Sequence, residues 1–173
     1  KYSLDDLPVF FRNKNYEELK TASLFILEKD EKNFDALNSL AVAYKNLGNT
    51  NKAVEVFTHL VNLNPKKDFI YSNAGNFFFD LGKVEQALQC HEHAVKLNSK
   101  NWNSLNQIGV IYANKGNNEE AIRYYKKALS ANPKEEAIYT TLANAYRALE
   151  NYSEAAKYYE FSSKKLSKCQ QLE

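Results

Sequence analysis

The chain has 173 residues, 44% hydrophobic and 25% charged, a balance that fits a folded protein and excludes a disordered one. A formal net charge of +2 is too small to argue for nucleic acid or an anionic membrane as partner. No apolar run is long enough to span a bilayer.

A 34-residue period organises the sequence. Gly48, Gly82 and Gly116 stand 34 apart, as do Tyr44, Phe78, Tyr112 and Tyr146, and Ala53, Ala87, Ala121 and Ala155. A fixed period of this size signals stacked repeats.

Residues 1–33 keep the register weakly. Phe10 takes the Tyr slot, Leu19 the small-Ala slot and Ile26 the second small slot. Pro8 falls inside the expected first helix. An interior proline costs about 3 kcal/mol, so that helix is expected to start late, near Asp5 or Asp6. Residues 34–67 hold Leu37, Leu40, Ala41, Tyr44, Ala53, Phe57 and Pro65 in register. Residues 68–101 hold Tyr71, Ala74, Gly75, Phe78 and Ala87, with His91 in the Phe slot and Ser99 in the Pro slot.

Residues 102–135 show the physics of one unit. Leu105, Ile108, Gly109 and Tyr112 recur at three- and four-residue spacing, one face of an α-helix. Gly116 follows, where a helix needs a left-handed exit. Asn117 with Glu120 then forms a capping pattern for a second helix, which carries Ala121, Tyr125 and Ala128 on one stripe and stops at Pro133. Gly109 and Ala121 are small because the two helices cross there. One such hairpin cannot bury its stripe alone, so hairpins must stack. Asn15 with Glu18, and Asn151 with Glu154, repeat the cap, each worth about 1 kcal/mol. Asn151-Tyr152-Ser153 is formally a glycosylation sequon. Its position in the repeat makes it a cap.

Residues 136–169 carry Tyr139, Leu142, Ala143, Tyr146, Ala155 and Tyr159 in register. Ser167 replaces the terminating proline, so the last helix is expected to run on through Lys164 and Leu166. Residues 170–173 are expected to open a further repeat at Gln170. Tyr158, Phe161 and Leu166 are expected to face a missing neighbour. With Lys1 in place of an initiating Met, this suggests an excised piece of a longer protein.

These residues resemble the tetratricopeptide repeat, the 34-residue helix-turn-helix unit. The resemblance covers residues 1–173 as one domain, with one degenerate repeat followed by four good ones. It implies an all-α α-solenoid, a right-handed superhelix of antiparallel helical hairpins. It also implies that the first helix of each hairpin lines a concave surface holding an extended peptide or a partner helix.

By phase, that surface holds Asn38 and Ser39, Ser72 and Asn73, Asn106 and Gln107, and Thr140 and Thr141. One turn on lie Val42, Asn76, Val110 and Asn144. Lys45, Asn46, Phe79, Asn103, Asn114 and Arg147 flank them. The candidate peptide- or partner-binding residues are Asn38, Asn73, Asn76, Asn103, Asn106, Gln107, Asn144 and Arg147. An asparagine offers a donor and an acceptor, so this face can hold a peptide by its main chain.

The row also resembles, in part, the asparagine ladder of O-linked N-acetylglucosamine transferases, through Asn73, Asn76 and Asn144. It departs at Ser39, Val42, Gln107, Val110 and Thr141. Two alternatives to a scaffold therefore stay open: the substrate-recognition domain of a larger enzyme such as a glycosyltransferase, and a module that self-associates through the solenoid end. Repeats that clamp the acidic tails of cytosolic chaperones carry Lys and Arg at set positions. Here Asn38, Val42, Asn73, Asn103 and Gln107 fill one such set, and Ser72, Asn76, Gln107, Ala137 and Thr141 the next. Chaperone tails are rejected as partners.

Cys90-His91-Glu92-His93 is the one chemical-looking cluster. On a helix His91 and His93 point about 200 degrees apart and cannot share a metal. His91 is assigned to the core aromatic slot and His93 to the outer face. Replacing His91 by Phe is expected to raise the melting temperature, and a fall would show that its ring has a satisfied role. Tyr125 and Tyr159 fill core slots, and Tyr124 and Tyr158 are expected to pack in the core beside them. Glu119, Glu120, Arg123, Lys126 and Lys127 read as a solvated face. No phosphate loop, nucleophile-base pair or paired acids can be assembled, so no enzyme, metal or cofactor is expected. Cys90 and Cys169 read as free thiols in a reducing, cytoplasmic compartment.

Overall fold

The computed structural model describes residues 2–169, with side chains through Ser163. These residues form ten helices and no strand. The helices are α1 (Asp6–Arg12), α2 (Tyr16–Leu27), α3 (Phe34–Asn46), α4 (Thr50–Asn62), α5 (Asp68–Asp80), α6 (Val84–Leu97), α7 (Trp102–Asn114), α8 (Asn118–Ala131), α9 (Glu136–Ala148) and α10 (Tyr152–Cys169). The odd-numbered helices α3 to α9 begin 34 residues apart. Each pairs with the helix after it, and each even-numbered helix packs on the next odd one. This is an all-α solenoid of antiparallel hairpins.

The first helix starts at Asp6, with Asp5 at its N-cap position. Pro8 then sits in the first turn, where its missing N–H leaves no intrahelical bond unmade. The result is a short α1 of seven residues, against thirteen for α3, α5, α7 and α9. At the other end, α10 runs on to Cys169, as the absent proline predicts. The side chain of Leu166 and the repeat expected at Gln170 lie outside the described residues.

Asparagine caps start several helices. Asn117 Oδ1 accepts from the Glu120 N–H at 3.1 Å, and Asn151 Oδ1 from the Glu154 N–H at 3.2 Å. Asn151 is thus a cap. Glu120 pairs with Arg123 and Glu154 with Lys157, so each glutamate is drawn outward and only half of the capping box forms. Asn15 makes no side-chain cap bond, contrary to the pattern. Asn33 and Asn101, which the pattern did not reveal, cap α3 and α7 by accepting from Ala36 and Ser104 at 3.1 and 3.0 Å.

Each hairpin turns through one left-handed residue. Gly48, Gly82 and Gly116 have φ of 75°, 72° and 80°. The same slot in the outer repeats holds Lys14 at 57° and Glu150 at 58°. A side chain there costs about 1 kcal/mol or more. Glu150→Gly is therefore expected to stabilise the chain by about 1 kcal/mol in urea unfolding, and a loss of stability would contradict this.

The core is a chain of clusters rather than one centre. Leu7, Leu19 and Ala36 join α1, α2 and α3; Phe57, Phe77 and Ile111 join α4, α5 and α7; Tyr125, Ile138 and Leu142 join α8 and α9. Stability therefore passes from neighbour to neighbour. Tyr124 stacks on Tyr112 and Tyr158 on Tyr146, both at 5.6 Å between centroids. Lys127 lies 5.0 Å over Tyr124 and Lys126 5.5 Å over Tyr146. These lysines thus cover aromatic rings as well as face solvent. Phe161 remains 46% exposed on the last hairpin.

Candidate peptide groove

A cavity of about 590 Å³ opens between the odd-numbered helices α1, α3 and α5. Three of the expected residues, Asn38, Asn73 and Asn76, line it together. Asn73 Nδ2 donates to Asn38 Oδ1 at 3.0 Å, across 35 residues of sequence. Asn76 Nδ2 donates to Asn103 Oδ1 at 3.4 Å, which brings in α7. The row continues where Thr141 Oγ1, which shares its one hydrogen with the Ile138 carbonyl at 3.0 Å, lies 3.3 Å from Asn106 Oδ1. Amides on successive odd helices therefore bond along the solenoid, because a 34-residue period places equivalent turns side by side.

The other expected residues do not line this cavity. Gln107 is half-buried on α7. Asn144 is exposed and accepts from the Tyr159 hydroxyl. Arg147 is exposed in the last turn of α9. Of the neighbouring polar positions, Ser72 is buried, and Thr140 bonds Ser162 on α10 at 3.0 Å. Ser72 is thus closed to a ligand, while Thr140 is exposed with its hydroxyl engaged.

Ser72 belongs to a buried polar junction under the groove. Its Oγ lies 2.7 Å from Ser104 Oγ and accepts from Asn101 Nδ2 at 2.9 Å. Asn101 Nδ2 also donates to Asp68 Oδ2 at 2.8 Å. Ser104 Oγ in turn lies 3.1 Å from His91 Nδ1. His91 is fully buried, and its Nε2 has no partner. Whichever ring nitrogen carries the proton, Nδ1 meets Ser104 and Nε2 is left unpartnered against the Gly75 backbone. Burial pushes the His91 pKa down to about 4. This junction ties α5, α6 and α7 together and fixes the spacing of the amides above it. His93 is half-buried and stacks on Tyr71 at 4.1 Å, so it is not free on the outer face. Burial raises the Cys90 thiol to about 11, which makes it a poor nucleophile.

The charged residues that line the cavity, Asp35 and Lys45, are already matched. Lys67 Nζ sits 2.7 Å from both carboxylate oxygens of Asp35, and Lys45 Nζ lies 2.7 Å from Asp80. Sequence reasoning placed Lys45 at the rim but missed both pairs, since their partners are 32 and 35 residues away. It also missed the apolar side of the cavity, formed by Leu4, Phe11 and Phe69. The signal was present as three apolar residues at positions the repeat does not assign to core. Among the described residues, no cluster of three or more His, Cys, Asp or Glu can hold a metal ion, and no helix is long and apolar enough to cross a membrane.

Comparison with known proteins agrees with this architecture. Tetratricopeptide repeat family models match residues 34–67, 102–135 and 139–161, and a TPR repeat model matches 75–116. No curated protein sequence matches the chain. Among solved structures, a crystal structure of MamA is 23% identical over 94% of this chain and 95% of its own, with a TM-score of 0.81. A second crystal structure of MamA is 24% identical over 98% and 93%, with a TM-score of 0.79. PilF of Pseudomonas aeruginosa is 20% identical over 94% of this chain and 74% of its own, with a TM-score of 0.86. At these identities the likeness speaks for the fold. With family matches spread over most of residues 34–161 and hairpins in the same register, the chain belongs to the tetratricopeptide repeat family.

Proposed function

We propose that this chain is a non-catalytic scaffold that recognises another protein by holding an extended segment, or a partner helix, in the asparagine-lined groove. One observation carries the reading: Asn38, Asn73 and Asn76 line a single cavity whose lining charges are already paired. A peptide main chain is neutral and carries both donors and acceptors, which is what an amide row complements. The row extends through Asn103 and Asn106, with Gln107, Asn144 and Arg147 farther along, so residues 1–173 act as one domain of five repeats. An acidic chaperone tail finds no free cation among Lys45 and Lys67. Burial of His91 and of the raised Cys90 thiol supports a role without catalysis. A free, buried Cys90 fits a reducing compartment such as the cytoplasm.

The test is affinity capture from native extract, with a variant carrying Asn73→Ala, Asn76→Ala and Asn106→Ala as control. Partners held by the native chain are expected to be lost by the variant, whose helical circular dichroism is expected to be unchanged. Equal capture by both would overturn the reading.

A further inference from the structure

The short α1 changes one end of the groove. It starts late, at Asp6, and Leu4 and Phe11 stay 44% and 51% exposed along the cavity rather than closing on a partner helix. Phe69 of α5, 42% exposed, borders the same cavity. The floor is apolar, with buried Leu19 and Phe57 beneath half-buried Val42. Val42 occupies the slot that holds Asn76, Val110 and Asn144 in later repeats, so beside Asn76 this end of the row presents a hydrocarbon side chain. We infer that this end is an anchor pocket for one bulky uncharged side chain, aromatic or leucine-like, of the bound segment. This rests on the groove reading given above.

Charge and hydrogen bonding define the occupant. Asp35 is held by Lys67 and Lys45 by Asp80, so a charged anchor would lose water and gain no free partner. The volume of about 590 Å³ falls in the range that encloses a large side chain together with a stretch of main chain. At the pocket edge Asn76 Oδ1 is buried without a hydrogen-bond partner. A rotation of the Asn76 amide, held only by its 3.4 Å bond to Asn103, brings this oxygen into reach of a main-chain N–H beside the anchor residue. The occupant is therefore a peptide segment with an apolar anchor, and a free lipid or fatty acid lacks that donor.

The experiment selects a phage-displayed library of random nonapeptides on the whole chain and measures the winners by calorimetry. Selected peptides are expected to share one Phe, Trp, Tyr or Leu position and to lack Asp and Glu beside it. Phe11→Ala and Val42→Asn are each expected to weaken binding by about tenfold. Leu4→Ser, at an exposed site, serves as a further variant if Val42→Asn lowers the Tm. Peptides that bind through Asn73 and Asn76 but show no apolar consensus and ignore Phe11→Ala would overturn the anchor pocket while leaving the groove intact. Peptides indifferent to both Phe11 and Asn73 would overturn both readings. Selection that yields no peptide, with a fatty acid binding instead, would also overturn both.

Discussion

Gly109→Ala is expected to destabilise the chain by about 2 kcal/mol, even though alanine is the better helix former. A Cβ on Gly109 would stand 2.5 Å from Cε1 and 2.6 Å from Cδ1 of Tyr125. That ring is 2% exposed and packed against the neighbouring hairpin, so it has nowhere to retreat. The clash outweighs the roughly 1 kcal/mol that alanine contributes to an exposed helix position. The combined variant Gly109→Ala, Tyr125→Leu is expected to recover much of the loss, because the smaller side chain leaves room for the methyl group. Equilibrium unfolding in urea reads both. A neutral or stabilising Gly109→Ala would show that the hairpins are not packed this closely.

That clash illustrates how far the sequence can be read. Gly109 marked the close approach of α7 and α8, which the ring of Tyr125 makes, and Gly48, Gly82 and Gly116 marked the turns, because their requirements are local to one repeat. The caps at Asn117 and Asn151 were legible for the same reason. The cap at Asn33 was not, since no glutamate follows at the third position. Features that depend on contacts between repeats were hidden. Asn38 and Asn73 both read as groove residues, but nothing local showed that they bond each other. Ser72 looked like a groove residue by phase, yet Ser104 and Asn101 draw it inward. His91 looked like a misplaced polar residue in an aromatic slot. Its partner Ser104 lies in the next repeat, where periodic reading of single helices does not look. The apolar end of the groove was the least legible part, because it arises where α1 fails to follow the repeat.

The second large effect is acid destabilisation centred on His91. Its folded pKa is pushed down to about 4 by burial, against an ordinary value of 6.5. Below pH 6.5 the unfolded chain takes up a proton there while the folded chain does not, so stability falls as pH falls from 6.5 towards 4. The gap corresponds to about 3 kcal/mol. Above pH 6.5 the group is neutral in both states and contributes no slope. Carboxylates also titrate in this range, and their contribution is shared by His91→Phe. A six-membered ring fits over this glycine position, as Tyr125 over Gly109 shows. His91→Phe gives up the bond to Ser104, which keeps its bond to Ser72, and removes the unpartnered Nε2. At pH 7 the two changes are expected to offset within about 1 kcal/mol. At pH 4.5 the variant is expected to be the more stable protein by about 2 kcal/mol. Parallel pH profiles for the two chains would show that His91 is not the group responsible.

The same junction bears on function, since α5, α6 and α7 hold the amides of Asn73, Asn76 and Asn103 at fixed spacing. Loosening the junction in acid is therefore expected to weaken the groove before the chain unfolds. The central claim, that the odd-numbered helices receive the ligand, is tested most directly by amide hydrogen exchange with and without a saturating captured segment. Slowed exchange confined to the odd-numbered helices, with α1, α3, α5 and α7 protected, is the expected result. Slowed exchange on α4, α6 and α8, with the odd-numbered helices unchanged, would contradict the account and place recognition on the opposite face.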